Sequence, residues 1–232
     1  MPNNTLTNLI DRAKQRADME GSTFCTDTEI TGYINQGIRE LHDILVTLYE
    51  DYFVTTTTYT LPASNPGTLP ANFYKAIGVD FETGGITYRV RPYSFQERNM
   101  LQSPYTQQGK LGNLFYNIRG TQIFFIPTNT LSGTITLHYA PMATEMEAGH
   151  SGTQLTTLIP QITYGYEEYI VCHAAIQMLV KEESDVSVHL AERERQRQRI
   201  ISAATNRDAG ESYAITDVEI GSIQDDFVYK LS

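Results

Sequence analysis

The 232 residues suffice for one large domain or two small ones, and a chain of this size buries roughly 70% of its unfolded surface without needing staples. A net charge of −10, from 17 basic and 27 acidic residues, argues against sequence-independent gripping of DNA, which needs clustered Lys and Arg. Aliphatic and aromatic runs reach four residues, as at Ile123 to Ile126, which excludes a transmembrane helix.

The start, MPNNTLTNLIDRAKQ, lacks the apolar centre and cleavage motif of a signal peptide. Leu6, Leu9, Ile10, Ala13 and Ala17 form one stripe and predict a helix within 5–20. Thr26 with Glu29 reads as a capping box opening a second helix, from about Asp27 to Glu50. Its stripe is Ile30, Ile34, Ile38, Leu41, Leu45 and Leu48. At Tyr52 the period changes. YFVTTTTYTL is a β-branched and aromatic run that stops at Pro62, and PASNPGTLP is turn chemistry. FYKAIGVDFE and ITYRVRPY are strand candidates joined by Thr83-Gly84-Gly85. SFQERNML fits a short helix, and NLFYNIR and TQIFFIP flank Gly120 as a second hairpin. GTITLHYAP alternates Ile135, Leu137 and Tyr139 against Thr134, Thr136 and His138, the pattern of a half-buried antiparallel strand. Residues 52–141 thus predict an antiparallel sheet or sandwich of about six strands.

EMEAGHSGTQLTT is a linker by composition, within 142–159. The helical pattern resumes near Pro160, where Tyr169, His173, Ile176 and Val180 share a face. Ser184 or Asp185 can cap a further helix over about 186–206, giving an αα-hairpin. The expected fold class is α+β. Residues 1–51 and 160–207 form a four-helix bundle from two helix pairs, 52–141 an inserted β domain, and 208–232 a C-terminal arm.

No catalytic constellation stands out. Asp80 and Glu82 share a strand face, as an acid and base pair would, but nothing else of a cleft accompanies them. Glu167 and Glu168 read as helix-start charges. His42, His138, His150, His173 and His189 offer no pair at helical metal spacing, and His173 reads as a satisfied core histidine. Cys25 and Cys172 fit no metal site and read as small buried residues in a reducing compartment. No cofactor is expected.

The segment AERERQRQRI carries Arg193, Arg195, Arg197 and Arg199 in two rows, with Glu192–Arg195 and Glu194–Arg197 spaced to pair. From Ala191 to Arg199 there is no large apolar residue, so this stretch is expected to project beyond the core and offer arginines to a partner.

Four stretches carry a resemblance: TDTEITGYINQGIRELHDIL, LPANFYKAIGVDF, FYNIRGTQIFFIPTNTLSGTITLHYAP, and YEEYIVCHAAIQMLVKEES with the arginine-rich helix after it. In this order, over about residues 5–205, they resemble the head-to-tail adaptor (head completion or connector) proteins of tailed bacteriophages, most of all those of short-tailed phages. The resemblance implies a structural virion protein of the neck, assembled in the host cytoplasm. It implies a dodecameric ring bound to the portal protein, with tail or nozzle proteins docking below and DNA passing without sequence-specific binding. An acidic channel wall would keep DNA from adsorbing in passage. Another neck or tail-tube ring protein is an alternative. A carbohydrate-binding or carbohydrate-active β module is a third reading, and clustered exposed aromatics on one sheet face would mark it.

The arm after Asp208 lies outside the matched stretches. Tyr213 and Ile215, Val218 and Ile220, and Phe227, Tyr229 and Leu231 recur at strand spacing among acids, with Gly221 between groups. Alone it buries too little to order itself, so it is expected to add to a neighbouring surface, that of the portal or an adjacent subunit.

Overall fold

A computed structural model describes residues 5–102, 114–127, 132–146 and 163–205. Helix α1, Leu6–Arg16, starts where the Thr5 hydroxyl accepts the Asn8 N–H. Helix α2, Asp27–Leu48, starts at the capping box: Thr26 Oγ1 accepts the Glu29 N–H, and Glu29 Oε2 accepts the Thr26 N–H at 2.9 Å. Helix α1 ends one residue before the last of its stripe, Ala17, and α2 ends with its stripe at Leu48, two residues before the expected Glu50. After α2 the chain tightens into a 3-10 turn, Glu50–Phe53, where sequence reading extends the strand back to Tyr52.

Among the described residues eight strands follow, where about six were expected. They are β1 Thr55–Leu61, β2 Gly67–Thr68, β3 Phe73–Thr83, β4 Ile86–Arg89, β5 Arg91–Pro92, β6 Phe115–Arg119, β7 Gln122–Ile126 and β8 Gly133–Pro141. They form two four-stranded sheets, ordered β1-β8-β3-β4 and β2-β7-β6-β5. The turn at Gly84 and Gly85, both with positive φ, closes the β3–β4 hairpin, and Gly120 closes β6–β7. The sheets are not wholly antiparallel, because β5 runs parallel to β6. ITYRVRPY, read as one strand, is two. Val90 turns inward, 3% exposed, and its N–H bonds Val79 O, while β4 and β5 join different sheets. Inward residues of both sheets share one core: Val79 and Phe81, Ile135 and Leu137, Ile123 and Phe125. A 3-10 turn, Phe95–Glu97, leads into the short helix α3, Arg98–Leu101.

Helices α4, Thr163–Lys181, and α5, Ser187–Thr205, form the second hairpin. Asp185 serves the start of α5, its Oδ1 accepting the Ser187 N–H at 2.9 Å. One apolar cluster joins Leu9 and Ala13 of α1, Ile34, Ile38 and Leu41 of α2, and Tyr169, Ala174 and Met178 of α4. From α5 only Ile200 is among its buried members. Val180, expected on the inward stripe of α4, is 54% exposed. It lies one residue from Lys181, which bonds Glu29 and the Phe24 carbonyl, so α4 here has reached the start of α2 and run out of partner helix.

The residues after β8 are not a free linker at their start. Met146 is buried in the helical cluster, and Asn35 holds its backbone twice, Nδ2 donating to Met146 O at 3.0 Å and Oδ1 accepting its N–H at 2.8 Å. Around the same junction His42 stacks on Phe53, and Tyr74 of β3 donates its hydroxyl to Asp43.

Candidate assembly surfaces

The arginine-rich helix divides into an inner and an outer side. Arg193 does not project. It ion-pairs with Glu40 of α2, its guanidinium lies 5.4 Å from the Tyr169 ring centroid, and it donates to the Tyr169 hydroxyl. The expectation that the whole stretch lacks internal packing therefore fails at this residue. A guanidinium replaces the missing apolar contact because a carboxylate and a π face await it. Burial, and next to it Glu40, pushes the Tyr169 hydroxyl up to about 12.

His173 sits behind this pair, 2% exposed, with Nδ1 3.3 Å from Glu40 Oε2. Neither ring nitrogen makes a hydrogen bond among the described residues, so it is a core histidine but not a satisfied one. Burial lowers its pKa first, and the neighbouring Arg193 charge adds to that, against Glu40. A Cβ on Gly37 would meet the His173 ring and Cβ at 3.3–3.4 Å, which is why α2 and α4 approach closely there.

On the outer side of α5 the two expected pairs form. Arg195 pairs with Glu192 at 2.8 Å, and Arg197 with Glu194 at 3.5 Å. Arg195 is 75% exposed in its side chain. Arg199 Nη1 lies 3.4 Å from Gln196 Oε1. Val188 and Leu190, on the first turns of α5, are exposed apolar residues. Residues 193, 195, 197 and 199 thus separate into one that holds the fold and three that face outward. Tyr213, Ile215, Val218, Ile220, Phe227, Tyr229 and Leu231 lie outside the described residues.

Asp80 and Glu82 are placed on β3, and Asp80 Oδ2 lies 3.1 Å from His138 Nε2 of β8. Among the described residues no group of three or more His, Cys, Asp or Glu is arranged to hold a metal. Cys25 and Cys172 are both buried, free thiols, and burial raises the pKa of each.

Sequence reading missed a cluster on the outer face of the second sheet. Phe95 is 49% exposed and carries two guanidinium groups, Arg98 at 4.2 Å and Arg119 at 4.4 Å from the ring centroid. Arg119 also lies 4.5 Å from the Phe124 centroid. These rings present their faces to cations, whereas a glycan site would leave them open to sugars. The available signal was an excess of Arg over acid between β4 and β7.

The helical layer, the two-sheet lobe and the outward charged faces have the make-up of a structural subunit. The chain matches the family model of the SU10 adaptor proteins over residues 4–217, and it belongs to that family. It is a phage adaptor protein and thereby a virion component. No helix among the described residues is long and apolar enough to cross a membrane. No curated protein matches the chain.

Proposed function

We propose that the chain is a non-enzymatic neck subunit, of the kind found in short-tailed phages. Copies of it form a dodecameric ring beneath the portal, extend the DNA channel and present a docking surface to tail or nozzle proteins. The observation that carries this reading is the family match, which spans the helices and the β lobe together rather than one module. In this reading the four long helices act as one bundle that sets the subunit's shape. The outward arginines of α5, Arg195, Arg197 and Arg199, face an adjacent subunit or the portal, and the arm after Asp208 orders on such a neighbour. DNA passes without sequence-specific binding, past a chain whose net charge repels it.

The test is genetic and structural together. Phage lacking this protein are expected to accumulate heads that carry portal but no tail and that lose their DNA. Tailed, infectious particles assembled without it would overturn the proposal.

A further inference from the structure

The charge of this acidic chain is unevenly placed. From Ile86 to Pro127 the sequence has five basic residues and one acid, and from Asp208 to Ser232 it has six acids and one lysine. Within the first of these stretches β5, β6 and β7 belong to the second sheet, and Arg98 and Arg119 lie on its outer side. Asn117 lies opposite Phe124 and Arg119 opposite Gln122 in the β6–β7 register, so alternation puts them on the side away from buried Ile123 and Phe125. Arg119 is fixed in place, with Nε on Asn117 Oδ1 at 2.8 Å and Nη2 on the Tyr93 hydroxyl at 2.7 Å. Arg98 Nη1 donates to the Phe95 carbonyl. Among the described residues neither arginine has a carboxylate within 4.0 Å, unlike Arg12, Arg16, Arg39 and Arg193 of the helical layer. Two positive charges stacked on the exposed Phe95 ring and the half-buried Phe124 ring thus suit an anionic partner with apolar side chains.

We propose that this face, centred on Phe95, Arg98, Arg119 and Phe124, is the docking surface for the acidic C-terminal segment, residues 208–232, of an adjacent copy. Charge complementarity selects that occupant, and so does its composition, which sets Phe227, Tyr229 and Leu231 beside Asp225 and Asp226. The path selects it too. Lys181 meets Glu29 while Tyr169, through Arg193, meets Glu40, so α4 runs against α2. Helix α5 turns back along α4 and hence runs with α2. Thr205 therefore lies toward the end of the helical layer where α2 passes into the β lobe. An extended segment of residues 206–232 reaches about 90 Å from there, ample for the lobe of a neighbouring copy. Duplex DNA is the lesser fit. Arg119 engages two of its donors sideways and offers a guanidinium face rather than a free fork for phosphate.

The assignment builds on the reading of residues 208–232 as an arm, and the experiment separates it from the neck function. In the full chain, Phe227 is replaced by the photo-reactive benzoylphenylalanine, and cross-linked peptides are mapped. Cross-links are expected within Phe95–Arg98 or Gln122–Phe125. Their yield should fall about tenfold in the full-length variant Phe95→Ala with Arg98→Gln, and fall with added salt. Both residues lie toward the surface, so circular dichroism should show the fold kept. Cross-links that map elsewhere, or a yield indifferent to the variant, would overturn the docking. So would a duplex DNA oligonucleotide that binds this face and displaces the segment. A phage that needs the protein for tail attachment yet shows no such cross-links would refute the docking alone and leave the adaptor reading standing.

Discussion

The helical layer pairs its inner arginines with carboxylates, whereas the β lobe stacks two arginines on rings with no carboxylate beside them among the described residues. In the helices four arginines reach carboxylates far away in the chain: Arg12 and Arg16 to Glu168, Arg39 to Glu145, and Arg193, which also lies over the Tyr169 ring, to Glu40. In the lobe Arg98 and Arg119 lie on aromatic rings. The helical layer also buries polar groups, Asn35, His42 and His173, whereas the core between the sheets is apolar apart from tyrosine hydroxyls. The contrast assigns one region to holding shape and the other to presenting charge. Perturbing Arg193 should therefore cost stability, and perturbing Arg98 or Arg119 should cost binding.

The strongest way to break the helical layer is at its centre. Leu41 is fully buried on α2, and Leu41→Asp would place an unpaired charge in the shared cluster. The expected loss is of the order of 4–5 kcal/mol or more, enough to unfold the chain, read by circular dichroism and solubility. A melting temperature within a degree or two of wild type would contradict the shared core. Gly133→Ala should strike the lobe instead. Its Cβ would meet the Phe81 ring at 2.7 Å and crowd the Glu82 carbonyl, for a loss of about 3 kcal/mol, with β8 amides exchanging faster than those of α4.

A sharper comparison lies within one helix. Arg193→Gln leaves Glu40 and the Tyr169 hydroxyl without their cation and should cost about 2 kcal/mol in chemical denaturation. Replacing Arg195, Arg197 and Arg199 together by Gln should change stability by less than about 0.5 kcal/mol, since exposed pairs contribute little, while lowering incorporation into assemblies. Equal losses from both variants would erase the division of α5 into an inner and an outer side.

Acid should separate the two regions as well. Burial lowers the pKa of His42 and His173 below the ordinary 6.5, so the unfolded chain binds more protons just below that pH. Their contribution is complete above about pH 6.5 and is lost as the pH falls through the window beneath it. Glu29 acts lower. Its bond to Lys181, then those to Thr26, hold its carboxyl at about 2, so its share is lost only as pH falls from about 4.5 toward that value. Hydrogen exchange at pH 5.5 should show amides of α2 and α4 losing protection before those of β1. Loss in step, or none, would count against the histidines as the cause.

The stripes of α1 and α2 and the capping box were legible in the sequence because they are local, set by spacing and two side chains three residues apart. Both hairpins were legible from glycine turns. Three things were not. The split of ITYRVRPY depends on which sheet each half pairs with, and alternation alone does not choose between sheets. Arg193 looked solvent-bound because its partner Glu40 lies 153 positions away. The Phe95–Arg119 stack joins residues brought together across the β5–β6 pairing, so beyond an excess of Arg over acid no local pattern announced it.

The central claim is that this chain is a ring-forming adaptor that binds the portal. Electron microscopy of the purified protein mixed with the portal of its phage tests that claim most directly. The account predicts a closed ring of adaptor copies stacked on one face of the portal, its channel continuous with the portal channel. A protein that stays unassembled and leaves the portal bare, at concentrations where both remain folded, would contradict it.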